Sequence, residues 1–282
     1  MLRKAPIIAA LLAAFAAFPA GSATTHRELR EIHWSFEGPF GRYDQAQLQR
    51  GYRVYREICS SCHSMNLLSF RNLGDAGGPF WDPRYPNPND NPVVKTIAHD
   101  LQIADIDPDS GDANRRPGTP ADRFPAPFAN EAAACASNNG AAPPDLSVMA
   151  RAREGGPRYI YSILTGYTNP PAGLTVGANQ HYNPYMPGDM SSYWHGAGAP
   201  PEGGFIAMPP PLAAAGGQVQ FDDHTPPTLT NEARDVSAFL MWAADPHMED
   251  RKQAGLAVLI FLVLFAGLVY ASYRKIWENV AH

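Results

Sequence analysis

Cys59 and Cys62 stand three residues apart in Tyr55-Arg-Glu-Ile-Cys59-Ser-Ser-Cys62-His63, with an imidazole directly after the second thiol. That order, C-x-x-C-H, is the attachment signature of a c-type haem. The spacing has a chemical reason. Two thiols add across the vinyl groups on neighbouring pyrroles of one porphyrin edge, while the adjoining imidazole ligates the iron from the proximal side. With 3 Cys and 9 His in 282 residues, chance placement would yield about 0.0007 such matches. Two other chemistries use the same residue types. A thiol redox pair sits at the start of a helix within a strand-helix-strand unit, whereas Leu48, Tyr52, Tyr55, Cys59 and Cys62 fall at helical spacing with no strand pattern before them. A structural zinc site needs four ligands and usually a second paired cluster, and the remaining Cys135 stands alone far downstream.

The sixth iron ligand has no fixed distance from the motif. Met186, Met190, Met208, His99, His181, His195 and His224 are all candidates. A thioether raises the reduction potential relative to a second imidazole, which suits an electron carrier on the high-potential side of a chain. Met208 lies in Gly203-Gly-Phe-Ile-Ala-Met208-Pro-Pro-Pro-Leu212, where three prolines stiffen the loop that would present the sulfur. Met186, in Tyr185-Met186-Pro187, is a weaker copy of that pattern. Residue chemistry therefore favours Met208, then Met186, and leaves the others open.

The elements that must position these groups are spread over one or at most two domains' worth of chain. With 28 Pro and 24 Gly in 282 residues, long loops are expected between short helices. Helical spacing appears at Val93, Val94, Ile97 and Leu101, at Tyr159, Ile160, Ile163 and Leu164, and at Val236, Phe239, Leu240 and Ala243. Thr228 or Thr230 can cap the last of these, which should stop near Pro246. Charged residues make up 17% of the chain and the net charge is -5, which excludes the basic face that nucleic acid demands. Residues 1–23, with Arg3 and Lys4 before a short apolar run, read as an export signal. Ala254 to Ser272 carries no charge and is long enough to cross a bilayer. Basic residues flank it equally, so the export signal must orient it. The expected organisation is a signal over 1–23, a periplasmic haem domain over 24–250, an anchor over 251–273 and a cytoplasmic tail over 274–282. Cys135 is expected to be a buried free thiol. Asp222 and Asp223 form a small acidic patch, either solvated or able to steer a basic partner.

In this order, an export signal, one C-x-x-C-H, a late Met-Pro loop and a C-terminal anchor resemble the cytochrome c1 family, the haem subunits of quinol-cytochrome c reductase. The resemblance extends to Pro143-Pro-Asp-Leu-Ser147, Arg151-Ala-Arg153-Glu-Gly-Gly156, Tyr159, Leu164-Thr-Gly-Tyr167, Asn183-Pro-Tyr-Met-Pro187, Met208-Pro-Pro-Pro, Asp222-Asp-His-Thr-Pro226 and Phe239-Leu-Met-Trp-Ala-Ala-Asp-Pro246. It covers most of the chain from about Arg42 to the anchor. It implies a mainly α c-type cytochrome domain with long Pro/Gly-rich loops and one C-terminal transmembrane helix. It implies one covalent haem c held by Cys59 and Cys62, with His63 as proximal and Met208 as distal ligand. Arg153 would pair with a haem propionate, and Tyr55, Tyr159 and Pro144 would line the pocket. The implied partners are cytochrome b, the Rieske iron-sulfur subunit and a soluble or anchored c-type cytochrome as acceptor, at the inner membrane of a bacterium. A stand-alone membrane-tethered cytochrome is the alternative, and it would need a long linker before the anchor. With both axial positions filled, an open-site haem enzyme is disfavoured. The chain departs from the family pattern at Gly188 to Gly203, which looks like extra loop, and at Cys135. Some bacterial relatives have a disulfide in that general region, and Cys135 has no partner for one.

Overall fold

The computed structural model describes residues 27–278, so the expected export signal lies outside the described residues. In chain order the elements are α1 (Gln45–Glu57), α2 (Pro92–His99), β1 (Gln102–Ile106), β2 (Ala113–Pro117), α3 (Glu131–Ser137), α4 (Met149–Ala152), α5 (Pro157–Thr165), β3 (His181–Asn183), β4 (Gly204–Ile206), α6 (Leu229–Ala244) and α7 (Met248–Ile276). The protein is mainly α-helical, as expected, with two small antiparallel hairpins added.

The helix pair α1 and α6 is the frame on which the rest is hung. The Asp44 side chain accepts from the Gln47 amide at the start of α1, and the Thr228 side chain accepts from the Asn231 amide at the start of α6. Each satisfies an amide that the first turn leaves without a helical partner. The two helices touch at Gly51, where an added Cβ would lie 2.0 Å from the Asp235 carbonyl oxygen and 2.7 Å from Phe239 Cβ. Only glycine permits so close an approach. Following it on α1, the rings of Tyr52 and Tyr55 each pack 5.7 Å from Phe239. Asp235, fully buried in α6, accepts from Gln47 Nε2 at 2.9 Å and Arg50 Nε at 2.6 Å, so its charge is compensated where it is desolvated. One core cluster runs from Trp34 through Leu48, Val54, Phe70, Phe124 and Ile160 to Trp242 and Met248.

Two expectations need correction. Helical spacing upstream of Cys62 suggests a helix through the motif, but α1 stops at Glu57 and the motif itself is a 3-10 turn over Cys59–Ser61. The segment 188–203 is loop, as expected, apart from a 3-10 turn over Ser191–Tyr193. β3 and β4 close it with the register His181↔Ile206 to Asn183↔Gly204, and Leu174, Tyr182 and Met190 form a second small core covered by Trp194 and Phe205. Cys135 is a free thiol, but it is only half-buried, because α3 is a short surface helix with no buried residue.

At the C-terminal end α7 has 29 residues and none of its most apolar window is buried. At 1.5 Å per residue that is about 43 Å, longer than the roughly 30 Å hydrocarbon core of a bilayer. The separation between α6 and α7 is only 245–247. Met248 at the base of α7 is 3% exposed and belongs to the main core.

Candidate functional site

After α1 the chain tightens, with Cys62 N donating to Cys59 O at 3.1 Å and His63 N donating to the same oxygen at 2.9 Å. Cys59, Cys62 and His63 therefore fall within one turn of backbone. Cys59 packs against the main core, and burial, then the neighbouring Cys62, pushes its thiol up to about 12. A redox or nucleophilic cysteine needs the opposite shift. Both cysteines are free rather than paired.

His63 Nδ1 lies 2.8 Å from the carbonyl oxygen of Pro144. A carbonyl can only accept, so the proton is on Nδ1 and the lone pair is on Nε2, free for a metal. Burial lowers the His63 pKa, against the opposing pull of the Pro144 carbonyl and Asp145, and so favours the neutral ring that ligates. The segment bearing Pro144 is held in place by Asp145, a residue to which sequence reasoning assigned no role. Its carboxylate accepts from Ser64 Oγ, the Asn66 amide and the Ser147 amide, each at 2.8 Å. Leu146 N donates to Ser64 O at 2.9 Å, and Leu67 N to Ser147 Oγ at 3.0 Å, so 64–67 is fastened along 145–147. Alongside this zipper a cavity of about 450 Å³ is lined by Cys62, Ser64, Asn66, Phe128, Pro143 and Pro144.

Tyr55 is 2% exposed and stands on the core side, its ring 6.1 Å from Phe124 and 5.7 Å from Phe239. Burial, reinforced by Cys59, raises its pKa and so keeps it a neutral phenol.

A second group gathers around α5. Arg153 is exposed, just before α5, and its guanidinium opposes the rise in pKa that burial imposes on Tyr159. Tyr159 donates its hydroxyl to Met186 Sδ at 3.6 Å, and Tyr167 donates its hydroxyl to the main-chain oxygen of Met208 at 3.0 Å. The Met186 turn is tied to the same helix, since buried Asn183 donates Nδ2 to Ile163 O at 2.8 Å and accepts from the Tyr185 amide at 3.1 Å. Of the other ligand candidates, Met190 is consumed by the small second core, His99 ends α2 and His181 lies in β3. Asp222 and Asp223 are not a free acidic patch. They pair with Arg53 at 2.7 Å and Arg50 at 2.6 Å, fastening their loop to α1.

These residues fit a covalent haem. Two unpaired thiols and an imidazole whose Nδ1 is engaged by the Pro144 carbonyl share one turn, and among the described residues no group of three His, Cys, Asp or Glu is arranged for another metal. The comparisons agree with the chemistry. A profile described as the cytochrome C1 family matches residues 34–280. The chain is 40% identical to cytochrome c1 of Rhodospirillum rubrum over 97% of both chains. It is 40% identical to cytochrome c1 of Blastochloris viridis, over 88% of this chain and 86% of that one. It is 42% identical over 87% of its length to cytochrome b/c1 of Bradyrhizobium diazoefficiens, of which it spans only 35%.

Proposed function

The chain belongs to the cytochrome c1 family, and from that premise we propose that it is the electron-carrying subunit of a quinol-cytochrome c reductase, taking one electron from an iron-sulfur subunit and passing it to a c-type cytochrome. Family members carry one covalently bound haem c, which supplies a one-electron Fe(III)/Fe(II) couple. The observation that carries the reading is the single turn bearing Cys59, Cys62 and His63, with the ring set by the Pro144 carbonyl. Cys59 and Cys62 would supply the two thioether links, and His63 and Met208 would hold the iron through nitrogen and sulfur. Met208 is preferred over Met186 because the Met186 sulfur already accepts a hydroxyl proton from Tyr159. Arg153 is the partner of a haem propionate, its fixed positive charge matching the carboxylate, and Tyr55, Tyr159 and Pro144 border the group. With His63 and Met208 both given to the iron, the chain would do no bond chemistry alone. Its oxidoreductase role belongs to the complex.

Cytochrome b and a Rieske protein are the proposed neighbours. The name of the Bradyrhizobium relative, cytochrome b/c1, supports the first. Residues 1–23 act as the export signal, 24–250 face the periplasm, 251–273 cross the inner membrane of a bacterium and 274–282 remain in the cytoplasm. The short separation over 245–247 favours a domain docked at the membrane over a tethered shuttle, which needs a long linker. A reduced-minus-oxidised spectrum of protein drawn from membranes in mild detergent through a C-terminal tag tests this. Co-purifying b-type and c-type bands are expected, whereas a c-type band alone would turn the reading to the shuttle. In the same preparation, Met208→Leu should lower the midpoint potential while the haem stays covalently bound. An unchanged potential would move the ligand assignment to Met186 or a histidine.

A further inference from the structure

We infer that Tyr167 is a positioning residue for Met208, holding the ligand loop through a hydrogen bond to the main chain of Met208 itself. The inference rests on Met208 being the distal ligand, as proposed above.

Three observations carry it. The Tyr167 hydroxyl donates to Met208 O at 3.0 Å across 41 residues of chain. The loop has few other ties at this point. The β3–β4 ladder ends at Ile206, two residues before Met208, and the next three residues are prolines, which have no amide proton to donate. Finally, the path of the chain into Tyr167 is tightly specified. A Cβ on Gly166 would lie 2.4 Å from the Tyr185 ring and 2.5 Å from Ser162 O, so only glycine lets α5 end against the Met186 turn and deliver Tyr167 to the ligand loop.

The two tyrosines of this region therefore do different things. Tyr159 reaches a sulfur, that of Met186, and engages its lone pair. Tyr167 reaches a backbone oxygen and leaves the Met208 sulfur free to ligate. Its role is to restrict the swing of the loop that would carry the thioether off the iron.

The test compares wild type, Tyr167→Phe and Met208→Leu in the detergent-extracted complex. Three quantities are read: the weak near-infrared band of a sulfur-iron bond in the oxidised protein, the rate of cyanide binding to the oxidised haem, and the midpoint potential. Tyr167→Phe keeps the ring and its packing and removes one hydroxyl. Covalent haem content should stay at the wild-type level, cyanide should bind about tenfold faster, equivalent to about 1.4 kcal/mol, and the potential should fall toward that of Met208→Leu. A Tyr167→Phe protein with wild-type cyanide kinetics and potential, beside a Met208→Leu protein that has lost the band, would overturn this inference alone. A Met208→Leu protein that keeps the band and the potential would instead remove the ligand assignment beneath it.

Discussion

Asp145 shows how one carboxylate can help to set an imidazole, that of His63, for which it is not the acceptor. Burial alone would raise its pKa, yet the Asn66 amide, the Ser147 side chain and amide and the Ser64 hydroxyl together hold it below the usual carboxylate range. The ionised group gathers donors from 64–66 and from 147, and so lays the chain after the C-x-x-C-H turn against the segment whose Pro144 carbonyl fixes His63. Asp145→Ala removes the acceptors and leaves those donors without their partner, at a cost of about 1–3 kcal/mol. Asp145→Asn keeps an acceptor oxygen in place and should cost less. Chemical unfolding of the haem-loaded protein, read together with haem content per chain, checks the order: wild type, then Asn, then Ala. An Ala variant as stable and as fully loaded as wild type would mean that His63 is held by the turn alone.

At the scale of elements, α1 is tied twice, to α6 through Asp235 and to the loop before α6 through Asp222 and Asp223. The Asp223 carboxyl is held at about 2, chiefly by the Thr225 amide and also by the Arg50 guanidinium. A carboxyl depressed in the folded state stabilises it fully above its unfolded pKa, about 3.9, and that contribution is lost as pH falls toward the folded value. The difference in Tm between wild type and Asp223→Asn should therefore be constant above about pH 5 and shrink between about pH 4 and pH 2. A difference independent of pH over that range would show that the loop is held by its neutral contacts. These ties also mark the limit of what could be read from the chain. The C-x-x-C-H turn was legible as a motif because its groups are contiguous, and α2, α5 and α6 because a buried stripe leaves a period in the sequence. The Thr228 cap was legible for the same local reason. The partners of Asp222 and Asp223 were not, since they lie 169 and 173 residues away. Nor was Pro144 legible as the acceptor for His63, because any residue can offer a carbonyl. The small second core around Met190 was hidden because two three-residue strands carry no readable alternation.

For the whole molecule, the question is whether the haem domain and its anchor move independently. The first turn of α7 is fastened to the N-terminal loop before α1. Lys252 Nζ donates to Phe36 O at 2.7 Å and Gly41 O at 3.1 Å, and Glu249 Oε1 accepts from the Tyr43 amide at 2.9 Å. Arg151, before α5, and Arg251, on α7, meet on the same Asp245 carboxylate. Tyr43 donates its hydroxyl to the carbonyl oxygens of Met241, in the last turn of α6, and of Asp245 just after it. With Met248 in the core, no joint is left between domain and anchor, so the haem should take one orientation relative to the membrane plane. In stacked, oriented membranes, electron paramagnetic resonance of the oxidised haem should show a narrow angular spread for wild type. Replacing Lys252 and Glu249 together with Ala leaves two carbonyls and an amide unpaired, about 1–3 kcal/mol of local loss. The spread should broaden while covalent haem content is unchanged. A spread as narrow in the double variant as in wild type would place the rigidity in the Asp245 ion pairs and the buried Met248 instead, and Asp245→Ala would then be the substitution that frees the domain.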